Sequence, residues 1–280
     1  MALPVVFLHG LRTSRTMWRA QLSAVTAAGH PAVAVDLPGH GERIDEGFTL
    51  DAAVDAVTGA VDEVGGRALV VGLSLGGYVG ITHAARHPEQ VAGLVAASCC
   101  TRPHALVVDA WGVASRAILR LPDRGAALND LAVRVALPPA GAQDVAAGGF
   151  ALDVMSPALR ALSGVDVLGD LRRVEAPVWL VNGRYDHFRG EERAFLAACR
   201  DGRLVVVPGA THLVSLVRPT RFSRAVLEAL AAVEEREAQT MSVQARTPPT
   251  MPASLGTTTT SSPSRSSTAG VMRRAFPPPR

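Results

Sequence analysis

A parallel α/β sheet of about six strands, with helices on both faces and a helical insertion late in the chain, is the fold this 280-residue sequence predicts. Three observations predict it. Six short apolar runs alternate with longer segments of helical pattern, as in βαβ units joined by right-handed crossovers. The runs are nearly continuous in apolar residues, as parallel strands buried on both faces require. One connection, about 78 residues between 98 and 177, is too long for a structureless loop.

The first strand spans 4–8 and runs straight into His9-Gly10-Leu11-Arg12. No positively charged segment precedes it, so the apolar stretch 2–8 reads as strand and not as signal peptide. A helix pattern near 16–28 leads to a strand at 32–36, and a second, at 50–64, to a strand at 68–73. A third helix, 75–87, precedes the strand 91–98. Helical stretches near 105–120, 125–136 and 157–164 then follow, punctuated by Pro122, Pro138-Pro139 and Gly148-Gly149. They predict a small helical lid from about 100 to 175. Strands at 177–182 and 204–207, with a helix near 190–200 between them, lead to a last helix at 219–236. The domain is thus 1–237. From 238 the chain turns to Thr, Ser and Pro, too poor in apolar surface to offset chain entropy, and predicts a disordered low-complexity tail, 238–280, either a linker or an extension without function.

Composition excludes several functions. There is no lysine, so neither a Schiff base nor a Ser–Lys dyad is possible. The net charge of +3 comes from the tail: five arginines and one acid lie in 237–280, leaving 23 basic against 24 acidic groups elsewhere, a charge of −1. No basic face argues for nucleic acid. Cys99, Cys100 and Cys199 have no CxxC or Cys/His metal spacing, so free thiols in a reducing, cytoplasmic compartment and no bound metal are expected. No apolar run reaches the roughly 18 residues that span a bilayer.

The chemistry starts at Gly72-Leu73-Ser74-Leu75-Gly76-Gly77. A G-x-S-x-G between a buried strand and a helix is a nucleophile elbow, whose turn is sharp enough to strain the serine backbone and to require glycine on either side. It presents the Ser74 hydroxyl at the carboxyl end of the sheet, where ligands sit in open α/β folds. A serine hydroxyl needs a base, and the base an orienting partner. Asp186 follows one strand and His212 follows the last, so all three fall at the same sheet end in the order Ser, Asp, His. His30, His83, His87 and His104 do not follow the last strand. A rival acid position, after 91–98, reads Cys99-Cys100-Thr101-Arg102-Pro103 and holds no carboxylate; the nearest is Asp109. Oxyanion donors are expected from the backbone N–H groups of Leu75, opening the helix, and Leu11, in the loop after the first strand. Trp111, Met155 and His187 are candidate pocket residues, although the apolar lid equally fits packing onto the core.

Together, His9-Gly10, the stretch 36–43 (DLPGHGER), the elbow, Gly183-x-x-Asp186 and Thr211-His212 resemble the α/β-hydrolase superfamily over about 3–236. The likeness is nearest to small carboxylesterases, enol-lactonases and acyl-carrier-protein methyl esterases with a short helical lid. It implies a cofactor-free serine hydrolase with Ser74, Asp186 and His212 as its triad, acting on a small ester-like substrate. An acyltransferase, a carbon–carbon bond hydrolase, a perhydrolase or a non-catalytic binding module remain alternatives on the same fold, and the oligomeric state stays open. The resemblance makes Asp36 and His40 supports of a turn and points away from haloalkane dehalogenases and epoxide hydrolases, which carry aspartate at the elbow. The family places two more strands before His-Gly. Here Met1 stands three residues ahead of that strand, so either the sheet starts late or the start site lies too far downstream.

Overall fold

The computed structural model describes residues 2–103, 112–113, 117–118, 120–123 and 125–246. Six parallel strands, β1 (Val5–Leu8), β2 (Ala32–Val35), β3 (Ala68–Leu73), β4 (Val91–Ala97), β5 (Val178–Gly183) and β6 (Gly202–Val207), pair in the order β2-β1-β3-β4-β5-β6. This is the fold class that the alternating pattern predicts.

The continuous apolar runs arise because both faces of the central strands are covered. On β1, Val6 and Leu8 pack with α2 (Leu50–Glu63) and α3 (Leu75–Arg86), whereas Val5 and Phe7 face α1 (Arg19–Ala27) and the C-terminal helix. β3 alternates the same way, Val70 against Leu69 and Val71. Trp18, fully buried, lies with its ring centroid 5.0 Å from Phe7 and 5.8 Å from Phe222. Each such pair contributes about 0.5–1.5 kcal/mol beyond area burial.

The strand order reverses direction at β1, with β2 on one side and β3 on the other. The carboxyl ends of β1 and β3 therefore flank a topological switch point, where the loops diverge and leave a crevice.

Between β4 and β5 lie α4 (Ala126–Ala136), α5 (Pro139–Ala147), α6 (Met155–Ser163) and α7 (Val167–Arg173). Most of the helical stretch expected at 105–120 lies outside the described residues. Two helices differ from expectation. Pro139, read as punctuation, is the first residue of α5, a position where its missing N–H costs nothing. α7 was not expected; Asp166 caps it by accepting from the Gly169 N–H at 3.0 Å, and Asp170 accepts from the Thr82 hydroxyl of α3 at 3.0 Å.

After β5 come α8 (Glu192–Ala198), the short α9 (Val214–Val217) and α10 (Pro219–Arg246). The last helix corrects the expected boundary, since it continues through 238, where the tail was to begin. Extending an existing helix needs no new nucleus. The hydroxyls of Thr240 and Ser242 donate to the carbonyls of Arg236 and Gln239, so these polar residues fit the helix. Residues 247–280 lie outside the described ones. Among the described residues, no helix is long and apolar enough to cross a membrane.

Candidate active site

Ser74 stands between β3 and α3 with φ +54° and ψ −112°, in the region that side chains other than glycine seldom adopt. The neighbouring glycines make this possible. A Cβ on Gly72 would overlap the Gly76 carbonyl, and one on Gly76 would overlap the carbonyl of Leu8 at the end of β1. The Ser74 N–H donates to Ala97 at 2.8 Å and the Gly76 N–H to His9 at 3.1 Å, so β4 and β1 hold the turn from both sides.

His212 reaches the serine from the loop after β6. Its Nε2 lies 3.0 Å from Ser74 Oγ, and its Nδ1 lies 3.0 Å from Asp186 Oδ1. Asp186 comes from the loop after β5 and is buried. The two loops interlock: Arg184 and Tyr185 donate backbone N–H groups to Val207 and Ala210 at 3.0 and 2.9 Å, and a Cβ on Gly183 would strike the Thr211 carbonyl. Burial by itself pushes the Asp186 carboxyl up. The hydrogen bond and charge of His212, with the Phe188 N–H at 2.9 Å, outweigh it and hold the group below the usual carboxylate range. An ionised Asp186 fixes the proton of neutral His212 on Nδ1, which leaves the Nε2 lone pair facing the serine hydroxyl.

The loop after β1 is braced by two buried histidines. His9 Nε2 accepts from the Leu37 N–H at 3.0 Å, so its proton sits on Nδ1, which donates to the Gly10 carbonyl at 2.8 Å. His40 accepts from the Arg12 N–H at 3.2 Å and donates to Pro38 at 3.0 Å. Asp36 accepts the N–H groups of Arg15 and Glu42 at 2.7 and 3.1 Å. Asp36 and His40 thus contact the loops around the site and do not touch Ser74. The brace aligns Leu11, which with Leu75 and Ser74 lines one cavity. Among the described residues no hydrogen bond occupies the N–H of Leu11 or Leu75.

Burial, and next the neighbouring His40, lower the pKa of His9 to about 3; burial lowers His83 to about 4. These groups stay neutral when folded and protonate below pH 6.5 when unfolded. The unfolded chain then binds more protons, so stability is fully present above pH 6.5 and is lost as pH falls towards 3–4. Urea unfolding at pH 7 and pH 5 should show a loss of about 2 kcal/mol for each of the two histidines, and an unchanged midpoint would refute it.

The cavity beside Ser74 has a volume of about 70 Å³ and is mainly apolar. Ala158, Leu159 and Leu162 of α6 line it, with Tyr78 of α3 and Phe188 after β5. Of the expected pocket residues, Met155 opens α6 one turn before this face and is not among the lining residues. His187 is not among them either: its half-exposed ring packs 4.9 Å from His212 and 4.6 Å from Phe188. Trp111 lies outside the described residues. Sequence reasoning passed over Phe188, whose ring centroid lies 4.9 Å from that of His212. It also passed over Asn182, which accepts the Ser98 N–H at 3.1 Å and donates to Glu192 at 2.9 Å, tying the ends of β4 and β5 together. A buried amide ending an apolar strand was the available signal. A larger groove, about 720 Å³ along the β2 edge, is lined by Arg15, Arg19 and Ala32–Ala34 and holds no comparable constellation.

The sequence pattern that defines the alpha/beta hydrolase family matches residues 5–225. This chain belongs to that family. Among curated proteins, the alpha/beta hydrolase is 29% identical over 249 residues to the pimeloyl-[acyl-carrier protein] methyl ester esterase of Neisseria meningitidis serogroup C, covering 78% of this chain and 90% of that one. It is 37% identical over 99 residues to epoxide hydrolase B of Mycobacterium tuberculosis, a stretch of 34% of this chain and 28% of that enzyme's length. Among solved structures, a thermophilic esterase from Thermogutta terrifontis superimposes on the hydrolase with a TM-score of 0.68 at 23% identity, covering 82% of this chain and 90% of that one, a likeness of fold.

Proposed function

We propose that this alpha/beta hydrolase is a serine hydrolase that cleaves an ester, thioester or lactone through an acyl-Ser74 intermediate. The observation that carries the proposal is the continuous Ser74–His212–Asp186 chain, 3.0 Å at each step, at the mouth of an apolar cavity. Ser74 Oγ attacks the substrate carbonyl while His212 Nε2 takes its proton. The oxyanion is received by the N–H groups of Leu11 and Leu75. As the tetrahedral intermediate collapses, His212 returns the proton to the departing alcohol, thiol or ring oxygen. Water then repeats the sequence on the acyl-enzyme and frees the acid. Asp186 stabilises the imidazolium in both halves, and no step calls for a cofactor.

Serine at the elbow favours acyl transfer over epoxide opening, which agrees with the methyl ester esterase matched over most of both chains. The cavity is lined mainly by apolar side chains, Leu11, Leu75, Leu159, Leu162 and Phe188 among them, so an apolar acyl or alcohol group is the expected fit. A screen of p-nitrophenyl esters, thioesters and lactones of graded acyl length should find turnover that Ser74→Ala abolishes. A fluorophosphonate should add a single mass increment that peptide mapping assigns to Ser74. Folded protein that neither turns over any of these nor labels at Ser74 would leave only a binding module on this fold.

A further inference from the structure

We propose that Asp186, His187 and His212 form a site for a zinc-like divalent cation whose occupation switches off the His212 base. The inference rests on the catalytic reading of His212 for its effect on turnover, though not for binding itself. Asp186 Oδ1 lies 3.0 Å from His212 Nδ1 and 3.9 Å from His187 Nδ1, and ligand atoms of the three residues all fall within 4.8 Å of one another. A tetrahedral zinc with bonds of about 2.0–2.2 Å holds its ligand atoms roughly 3.4 Å apart. The Asp186–His212 pair is already near that spacing. His187 can close the remainder, because its side chain is 60% exposed and makes no hydrogen bond among the described residues. Its ring stands beside those of Phe188 and His212, which sets its approach.

Two imidazoles and a carboxylate select a borderline transition ion over magnesium. Binding has a defined cost to catalysis. For Nδ1 of neutral His212 to bind the cation, its proton must leave, and through solvent it reappears on Nε2. No net proton is gained or lost. Nε2 then donates to Ser74 Oγ and has no lone pair to accept the hydroxyl proton, so the nucleophile is not activated.

The test is titration of the full chain with ZnCl2 in a non-chelating buffer, followed by calorimetry and by ester turnover. Wild-type protein should bind zinc and lose about tenfold or more of its turnover, reversibly with EDTA, while MgCl2 has no effect. His187→Gln should raise the half-inhibiting zinc concentration at least about tenfold, each variant compared with its own metal-free rate, and His187→Cys should bring it back down. Inhibition of His187→Gln at the wild-type concentration, or zinc binding without lost turnover, overturns the site. If the chain shows no Ser74-dependent turnover at all, the catalytic reading fails by itself. Calorimetry of wild type against His187→Gln still decides the metal site, with equal affinities rejecting it.

Discussion

Ser74→Ala is expected to lower kcat on the best ester substrate by about 10⁴–10⁶, with the fold intact. The hydroxyl is the only atom lost, and it points at His212 and the cavity, not into the core. The backbone bonds that hold the turn, Ser74 N–H to Ala97 and Gly76 N–H to His9, do not involve it. Stability in urea should therefore change by no more than about 0.5 kcal/mol. A trace of activity is compatible with this account, because oxyanion donors and binding alone still accelerate the reaction. Activity at the wild-type level in a folded Ser74→Ala protein would remove the acyl-enzyme mechanism.

Asp186→Asn should have the second largest effect, lowering kcat by about 10³–10⁴ while KM stays nearly constant. Asp186 Oδ1 accepts both the His212 Nδ1–H and the Phe188 N–H. An amide oxygen at the same place can hold both donors, so the geometry of the loop survives. What is lost is the negative charge that stabilises the imidazolium as it forms. If the amide turns instead and donates its N–H to Nδ1, the proton moves to Nε2 and the base is lost as well. Both routes lower kcat, and neither touches the cavity, which Asp186 does not line. Steady-state kinetics separate the outcomes: a raised KM with unchanged kcat would make Asp186 a binding residue and not the partner of the base.

Much of this site is legible in the chain because its signals are local. The elbow is a steric statement about six consecutive residues, and Gly72 and Gly76 are required where a Cβ would meet backbone. The rival acid position could be set aside because 99–103 contains no carboxylate. The pocket was not legible. Its walls come from α6, Tyr78 and Phe188. The expected Met155 shares the helix face of Ala158, Leu159 and Leu162 but stands one turn before them, an axial distance of about 5 Å that periodicity does not anchor to a distant serine. The protonation of His9 and His40 was equally hidden, since each depends on an N–H about 28 residues away in sequence.

The sequence by itself determined the parallel α/β order, the serine elbow and the succession Ser, Asp, His, because strand burial on both faces and the sharp turn leave marks within a few neighbouring residues. Only the tertiary structure decided that residues 138 and 26 positions apart meet at 3.0 Å, that Pro139 begins a helix, that α10 runs to Arg246 and that His187 packs against the base. Those outcomes are set by contacts between loops from different strands, whose closeness follows from sheet order and packing and has no signature in local periodicity.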